Sequence, residues 1–226
     1  MMNVINQSIV GAALILPLSL AAVAPAQGPA AGNGRADEFR SQVESLIAQL
    51  RSPNMDPNPK RQPGINLPHD YDRAAQKKVD EAIEKLKSLG KAAFPILVEH
   101  VDDPEYSKSI SSAVLLSRSV GAVCSDIVED QVDLSPMHYK TRKGSDGRQH
   151  GFHRSYFGKY WSGTTTRREM LEKWWKDNSE KSLQEMQIEA LESAISDELS
   201  IGFPTKRDEE RHLKPLQKLL AEVRKR

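Results

Sequence analysis

Apolar side chains recur along most of this chain three, four and seven residues apart, the spacing that lines one face of an α-helix. Phe39, Val43, Leu46, Ile47 and Leu50 form the first such stripe. Arg51-Ser52-Pro53 closes it, because the residue before a proline is pushed out of the α region. Ala75, Val79, Ile83 and Leu86 form a second stripe, stopped by Gly90, a natural residue just past a helix end. A short third helix presents Phe94, Leu97, Val98 and Val101 ahead of Asp102-Asp103-Pro104. Tyr106 to Val132 is expected to be helical again, with Ile110, Val114, Cys124, Ile127 and Val128 inward. Helix propensity is weak over Ser117 to Gly121, which predicts a kink or break there.

Beyond a long polar stretch, helix returns at Thr165 or Thr166 and places Met170, Leu171, Trp174 and Trp175 on one face. Ser182-Leu183-Gln184-Glu185 reads as a capping box, the serine accepting from the N3 amide while the glutamate reaches back. The helix it opens turns Leu183, Met186, Ala190, Leu191, Ala194, Ile195 and Leu199 inward until Ile201-Gly202-Phe203-Pro204 breaks it. Thr205 caps a last helix with Leu213, Leu216, Leu220 and Val223 inward, and Pro215 inside it is expected to bend it for want of a backbone donor. No alternation of strands with helices is present. The class is therefore all-α, with stacked or orthogonal helical pairs and room for one small hairpin.

The segments between helices set the domain organisation. Ser52 to Pro68 carries five prolines and almost no apolar side chains, so it reads as an extended linker with the first helix loosely attached. That divides the chain into 27–69, a Gly/Ala/Pro tether, one helix and the linker, and 70–226, a helical domain interrupted by a loop over 133–163. Residues 1–26 read as a signal peptide. The first 34 residues hold no Asp, Glu, Lys or Arg, and Ile9 to Ala26 is almost wholly apolar. The run closes on Ala24-Pro25-Ala26, small residues of the kind a signal peptidase accepts. A run of about 18 apolar residues is also just long enough for an anchor helix. Pro17 within it and the absence of flanking Lys or Arg favour cleavage, and with it a secreted or periplasmic location.

The single cysteine, Cys124, rules out an internal disulfide, and its helical apolar position predicts a buried, inert thiol. Net charge is +1, so no global field draws the protein to nucleic acid or to a membrane surface.

Residues Val79 to Val132 resemble a HEAT-like helical repeat. Ala82-Ile83-Glu84-Lys85-Leu86-Lys87-Ser88-Leu89-Gly90 is similar to the end of one repeat's second helix. Phe94-Pro95-Ile96-Leu97-Val98-Glu99-His100-Val101-Asp102-Asp103-Pro104 is similar to the next repeat's first helix and turn. The resemblance implies stacked helix pairs and a protein-binding concave face.

Candidate chemistry concentrates in the loop. Between Asp133 and Gly163, Lys140, Arg142, Lys143, Arg148, Arg154 and Lys159 stand against Asp133 and Asp146, a local excess of four positive charges. Gly144 to Gly147 is strong turn chemistry, and its flanks suit a hairpin. Aromatics are dense (Tyr139, Phe152, Tyr156, Phe157, Tyr160, Trp161), which argues against disorder. Three readings stay open. The aromatics pack under an ordered flap; or Arg142, Lys143, Arg148, Arg154, Tyr156 and Trp161 form a recognition surface, arginine and large aromatics being interface hot-spot residues; or His138, His150 and His153 hold a metal and run a hydrolase. The last has no Asp, Glu or Cys at ligand spacing to complete the geometry. No nucleophile elbow, phosphate-binding loop, zinc-protease helix or calcium loop occurs. The sequence thus points to an exported, non-enzymatic module without a cofactor, binding another protein or an envelope component and not nucleic acid. A metal-dependent hydrolase and a purely structural domain are the rivals.

Overall fold

The computed structural model of the chain describes residues 31–110, 115–135, 142–150 and 155–226, the side chains of residues 31–33, 142 and 155 excepted. Residues 1–26, read as a signal peptide, lie outside the described residues, as does Val114. Among the described residues no helix is long and apolar enough to cross a membrane. Helix α1 (Ala31–Ala48) begins inside the stretch read as a tether. Its stripe works as the spacing predicts: Val43, Leu46, Ile47 and Leu50 are buried, and they belong to the same core as the helices that follow. The loose attachment expected of this helix is therefore not what the chain adopts. Polar contacts reinforce the seat, with Arg40 on Glu99, His100 Nε2 2.8 Å from Glu44 Oε2, and Arg51 3.2 Å from Asp103.

The proline-rich segment takes no regular structure, yet it is pinned. Asn58 is buried and donates from Nδ2 to the carbonyls of Gln62 (3.0 Å) and Leu115 (2.8 Å), while its Oδ1 accepts from the Gln62 amide (2.8 Å). Ser52 donates its amide to the Tyr106 carbonyl at 2.9 Å, and Asp56 accepts from the Ser117 hydroxyl. Asp72 then caps α2 (Arg73–Ser88), accepting from the amides of Ala74 and Ala75. Gly90, at φ +61°, turns the chain through a short 3-10 segment into α3 (Phe94–Glu99).

Tyr106–Ile110 and Leu116–Ser119, expected as helix, are instead the antiparallel strands β1 (Tyr106–Ile110) and β2 (Leu116–Ser119), paired as a hairpin. The register slips between Tyr106 and Lys108, leaving Ser107 buried at the irregularity. Serine-rich sequence competes poorly for a helix, and here the linker's Ser52 and Asn58 hydrogen-bond to strand and strand-end groups. The expected break at Ser117–Gly121 is where strand gives way to α4 (Val120–Val132), capped by Ser119. A Cβ on Gly121 would sit 2.2 Å from the Val101 carbonyl oxygen, so only glycine lets α4 approach the end of α3 this closely. Cys124 is fully buried on α4, and burial, with Asp103 and Glu44 nearby, pushes its thiol pKa up to about 12, which keeps it unreactive at neutral pH.

After β3 (Arg142–Lys143), β4 (Gln149–His150) and the single turn α5 (Ser155–Gly158), the chain runs into α6 (Arg167–Asn178), α7 (Leu183–Ile201) and α8 (Lys206–Val223). Both Thr166–Glu169 and Ser182–Glu185 close full capping boxes. Gly202 ends α7 at φ +69°. Helix α8 continues through Pro215, which faces solvent, so the carbonyl left without a donor at exposed Arg211 is open to water. The main core gathers side chains from α1 to α6 and the start of α7. A smaller cluster of Leu191, Leu216, Leu220 and Val223, with Leu134 against it, joins α7 to α8. The described residues are mostly helical, 60% helix against 7% strand.

Candidate functional site

The loop between α4 and α6 is described in part: residues 133–135, 142–150 and 155–163. His138, His153 and Arg154 lie outside the described residues, and of Arg142 only the backbone is described. The turn chemistry of Gly144 to Gly147 folds as its composition asks, with Arg142 paired to His150 and Lys143 to Gln149. This hairpin leans on the end of α7, where the Ser145 amide donates to the Ile201 carbonyl at 3.1 Å. His150 Nε2 lies 2.9 Å from Asp146 Oδ1. That hydrogen bond, and the one from the Arg148 amide, hold the Asp146 carboxyl below the usual carboxylate range. Lys143 and Arg148 are exposed. Of the three metal-ligand candidates only His150 is described, and among the described residues no group of three His, Cys, Asp or Glu converges as a metal would require.

The second half of the loop is anchored by aromatic packing. Phe157 and Tyr156 are 3% and 1% exposed, so Tyr156, expected on the recognition surface, is a core ring. Phe157 packs at a tilt against Trp174, ring centroids 5.2 Å apart, and Trp174 in turn meets Phe94 at 6.1 Å, while Trp175 lies against Phe94 and under the Lys91 ammonium. Amphipathic tyrosine hides its ring readily when its hydroxyl finds company, and composition alone does not say which aromatic of a loop turns inward. Here the Tyr156 hydroxyl points at Asn178 and Glu189, and burial raises its pKa. Buried Asn178 organises the layer, donating from Nδ2 to the Trp174 carbonyl (2.7 Å) and to the Tyr160 hydroxyl (3.0 Å). Glu129 of α4 is buried; it accepts from the Ser125 hydroxyl and pairs with Arg167 at 3.0 Å.

On this footing stands an exposed edge. Trp161 is 52% exposed. Its amide donates to the Gly158 carbonyl at 3.0 Å, and the next turn is closed by Thr165 donating to the Ser162 carbonyl at 2.8 Å. Lys159 holds its ammonium 4.5 Å from the Tyr156 ring centroid and 5.1 Å from that of Tyr160. Trp161 shares a shallow, open depression with Lys159, Ser162, Thr164, Thr165 and Lys173. Glu169 also lines it, with Oε2 turned back to the Thr166 amide and hydroxyl. No protein-family model, curated protein or solved structure matches the chain.

Of the residues the sequence singled out, the structure leaves Trp161, Lys143 and Arg148 on the surface and withdraws Tyr156. The hydroxyls of Ser162, Thr164 and Thr165 and the ammonium of Lys173 escape a sequence reading, because Lys173 belongs to α6 and enters the depression only once α6 folds back. The hydroxyl-rich run Ser162-Gly163-Thr164-Thr165-Thr166 directly after Trp161 was the available signal.

Proposed function

We propose that this chain is an exported, non-enzymatic binding module that contacts another protein or a cell-envelope component through the face of residues 133–163. The observation that carries the reading is the division of labour in the loop. Tyr156 and Phe157 are buried and bolt the segment to Trp174, while Trp161, four residues past Phe157, stands half in solvent on a hydrogen-bonded backbone. Holding a large aromatic exposed and ordered favours binding, because its side chain loses little entropy on contact. Export, to a secreted or periplasmic location, is supported by the charge-free first 34 residues and the Ala24-Pro25-Ala26 close. HEAT-like packing over Val79–Val132, with the β1–β2 hairpin set within it, belongs to the same reading and is supported by α2, α3 and α4 sharing one core.

Replacing Arg142, Lys143, Arg148 and Arg154 together with Ser tests it. The variant is expected to stay folded, since Lys143 and Arg148 are exposed and surface charges, paired or not, contribute little, and to lose retention on envelope extract. Wild-type retention should fall as salt rises past roughly 0.15 M, where exposed charges are screened within about 8 Å. The retained protein, sequenced from its N-terminus, should begin at or near Gln27. Equal retention of wild type and variant at every salt concentration defeats the reading.

A further inference from the structure

We propose that the depression beside Trp161 is a binding site for an acidic saccharide, an oligosaccharide carrying uronic acid residues. This rests on the recognition reading above and supplies its ligand class. A pyranose presents one apolar face of C–H bonds inside a rim of hydroxyls, and an acidic one adds a carboxylate at its edge. The depression offers the complement of each part. The Trp161 indole gives a broad aromatic surface, 52% exposed. Ser162, Thr164 and Thr165 give hydroxyls that both donate and accept. Lys159 and Lys173 give two ammonium groups, neither paired with a carboxylate among the described residues. Against the single carboxylate of Glu169, already turned toward Thr166, these leave the lining with a net charge of about +1.

The surroundings of Trp161 distinguish this ligand from a protein partner. A protein hot spot sits in a fully desolvated pocket ringed by contacts that exclude water. Trp161 is instead ringed by hydroxyls and ammonium groups that keep water in, which suits a hydroxylated ligand able to replace that water bond for bond. The site is also built before the ligand arrives. The Trp161 and Tyr160 amides donate to Gly158 and Phe157, the Tyr160 hydroxyl is held by Asn178, and Ser162 and Thr165 hydrogen-bond to each other. Lys159 is steadied over two rings, so its charge is already placed at the rim.

The test titrates the full chain with tetragalacturonate, with neutral maltotetraose and with tetraglutamate, following tryptophan fluorescence and heat. Saturable quenching by tetragalacturonate is expected, with a dissociation constant on the order of a millimolar or below. The neutral sugar and the acidic peptide should bind about tenfold more weakly. Trp161→Ala should weaken tetragalacturonate about tenfold, the size of one stacking contact, and Trp161→Tyr should recover part of it. Lys173→Gln should weaken it about threefold and flatten its salt dependence. No saturable binding of tetragalacturonate, equal binding of tetraglutamate, or an unchanged affinity in Trp161→Ala each overturns the saccharide assignment. Envelope-extract retention of the same variants separates the two levels. Retention that depends on Trp161 without uronate binding removes only the ligand class, whereas retention indifferent to the loop together with no uronate binding removes the recognition reading too.

Discussion

Two adjacent tryptophans in α6 meet opposite fates, and the difference sets what each contributes. Trp174 is fully buried between Phe94 and Phe157, and its indole N–H is without a hydrogen-bond partner among the described residues. Trp175 is half-buried, its ring shared between Phe94 and the Lys91 ammonium. Trp174→Ala should therefore destabilise by about 3–5 kcal/mol, the range for a buried large aromatic. Trp175→Ala should lose only about 1–2 kcal/mol, a part of the full transfer value for a large apolar side chain. Urea unfolding followed by circular dichroism reads both, and equal losses would contradict the asymmetry. The i, i+4 pairing of Met170 with Trp174 was visible in the sequence. Which indole would be sealed was not, because the lid over Trp174 is Phe157, a residue seventeen positions earlier in a loop without periodicity.

Among the elements, the helices with sharp caps were the legible ones. The Ser182–Glu185 box fixed the start of α7, and Gly202 fixed its end. The β1–β2 hairpin was not legible, because Ile110 and Val114 stand at helical spacing while the partners that favour strand come from the proline-rich segment far upstream. Chief among those is Asn58, whose Nδ2 reaches the Leu115 carbonyl. Asn58→Ala would leave that buried carbonyl without its donor and remove the acceptor of the Gln62 amide, a loss of about 1–3 kcal/mol. The exposed cap variant Ser182→Ala should lose about 0.5–2 kcal/mol and serves as the control for a purely local hydrogen bond. The two differ in where the damage spreads. Asn58→Ala should speed hydrogen exchange at the β1–β2 amides as well as at Gln62, whereas Ser182→Ala should touch only the first turn of α7. Unchanged exchange in the hairpin of Asn58→Ala would mean that the strap and the hairpin are independent.

At the scale of the whole molecule, composition draws a boundary that packing erases. Five prolines and a lack of apolar residues over Ser52 to Pro68 suggest a junction, with the folded domain beginning near Asp70. Proline marks where the backbone is extended and says nothing about whether the helix before it returns to the core. It does return here: Val43, Leu46, Ile47 and Leu50 are buried in the cluster that holds Val79, Leu86, Phe94 and Trp174. At about 1.5–3 kcal/mol for each fully buried apolar side chain, those four stabilise the fold by roughly 6–12 kcal/mol before chain entropy is counted. That is of the same order as the whole net stability of an ordinary domain, about 5–15 kcal/mol. A fragment of residues 70–226 should accordingly lack a cooperative urea transition, while residues 31–226 should show one. Leu50→Ala in the longer chain should lose about 2–5 kcal/mol, as expected for a leucine that fills its site. The polar clasps of Arg40 and Arg51 are exposed and should matter far less, so Arg51→Ala is expected to change stability by under about 1 kcal/mol. A cooperative transition in the 70–226 fragment at nearly the same urea midpoint would show that α1 is an appendage after all, and that its buried stripe shields a core able to stand without it.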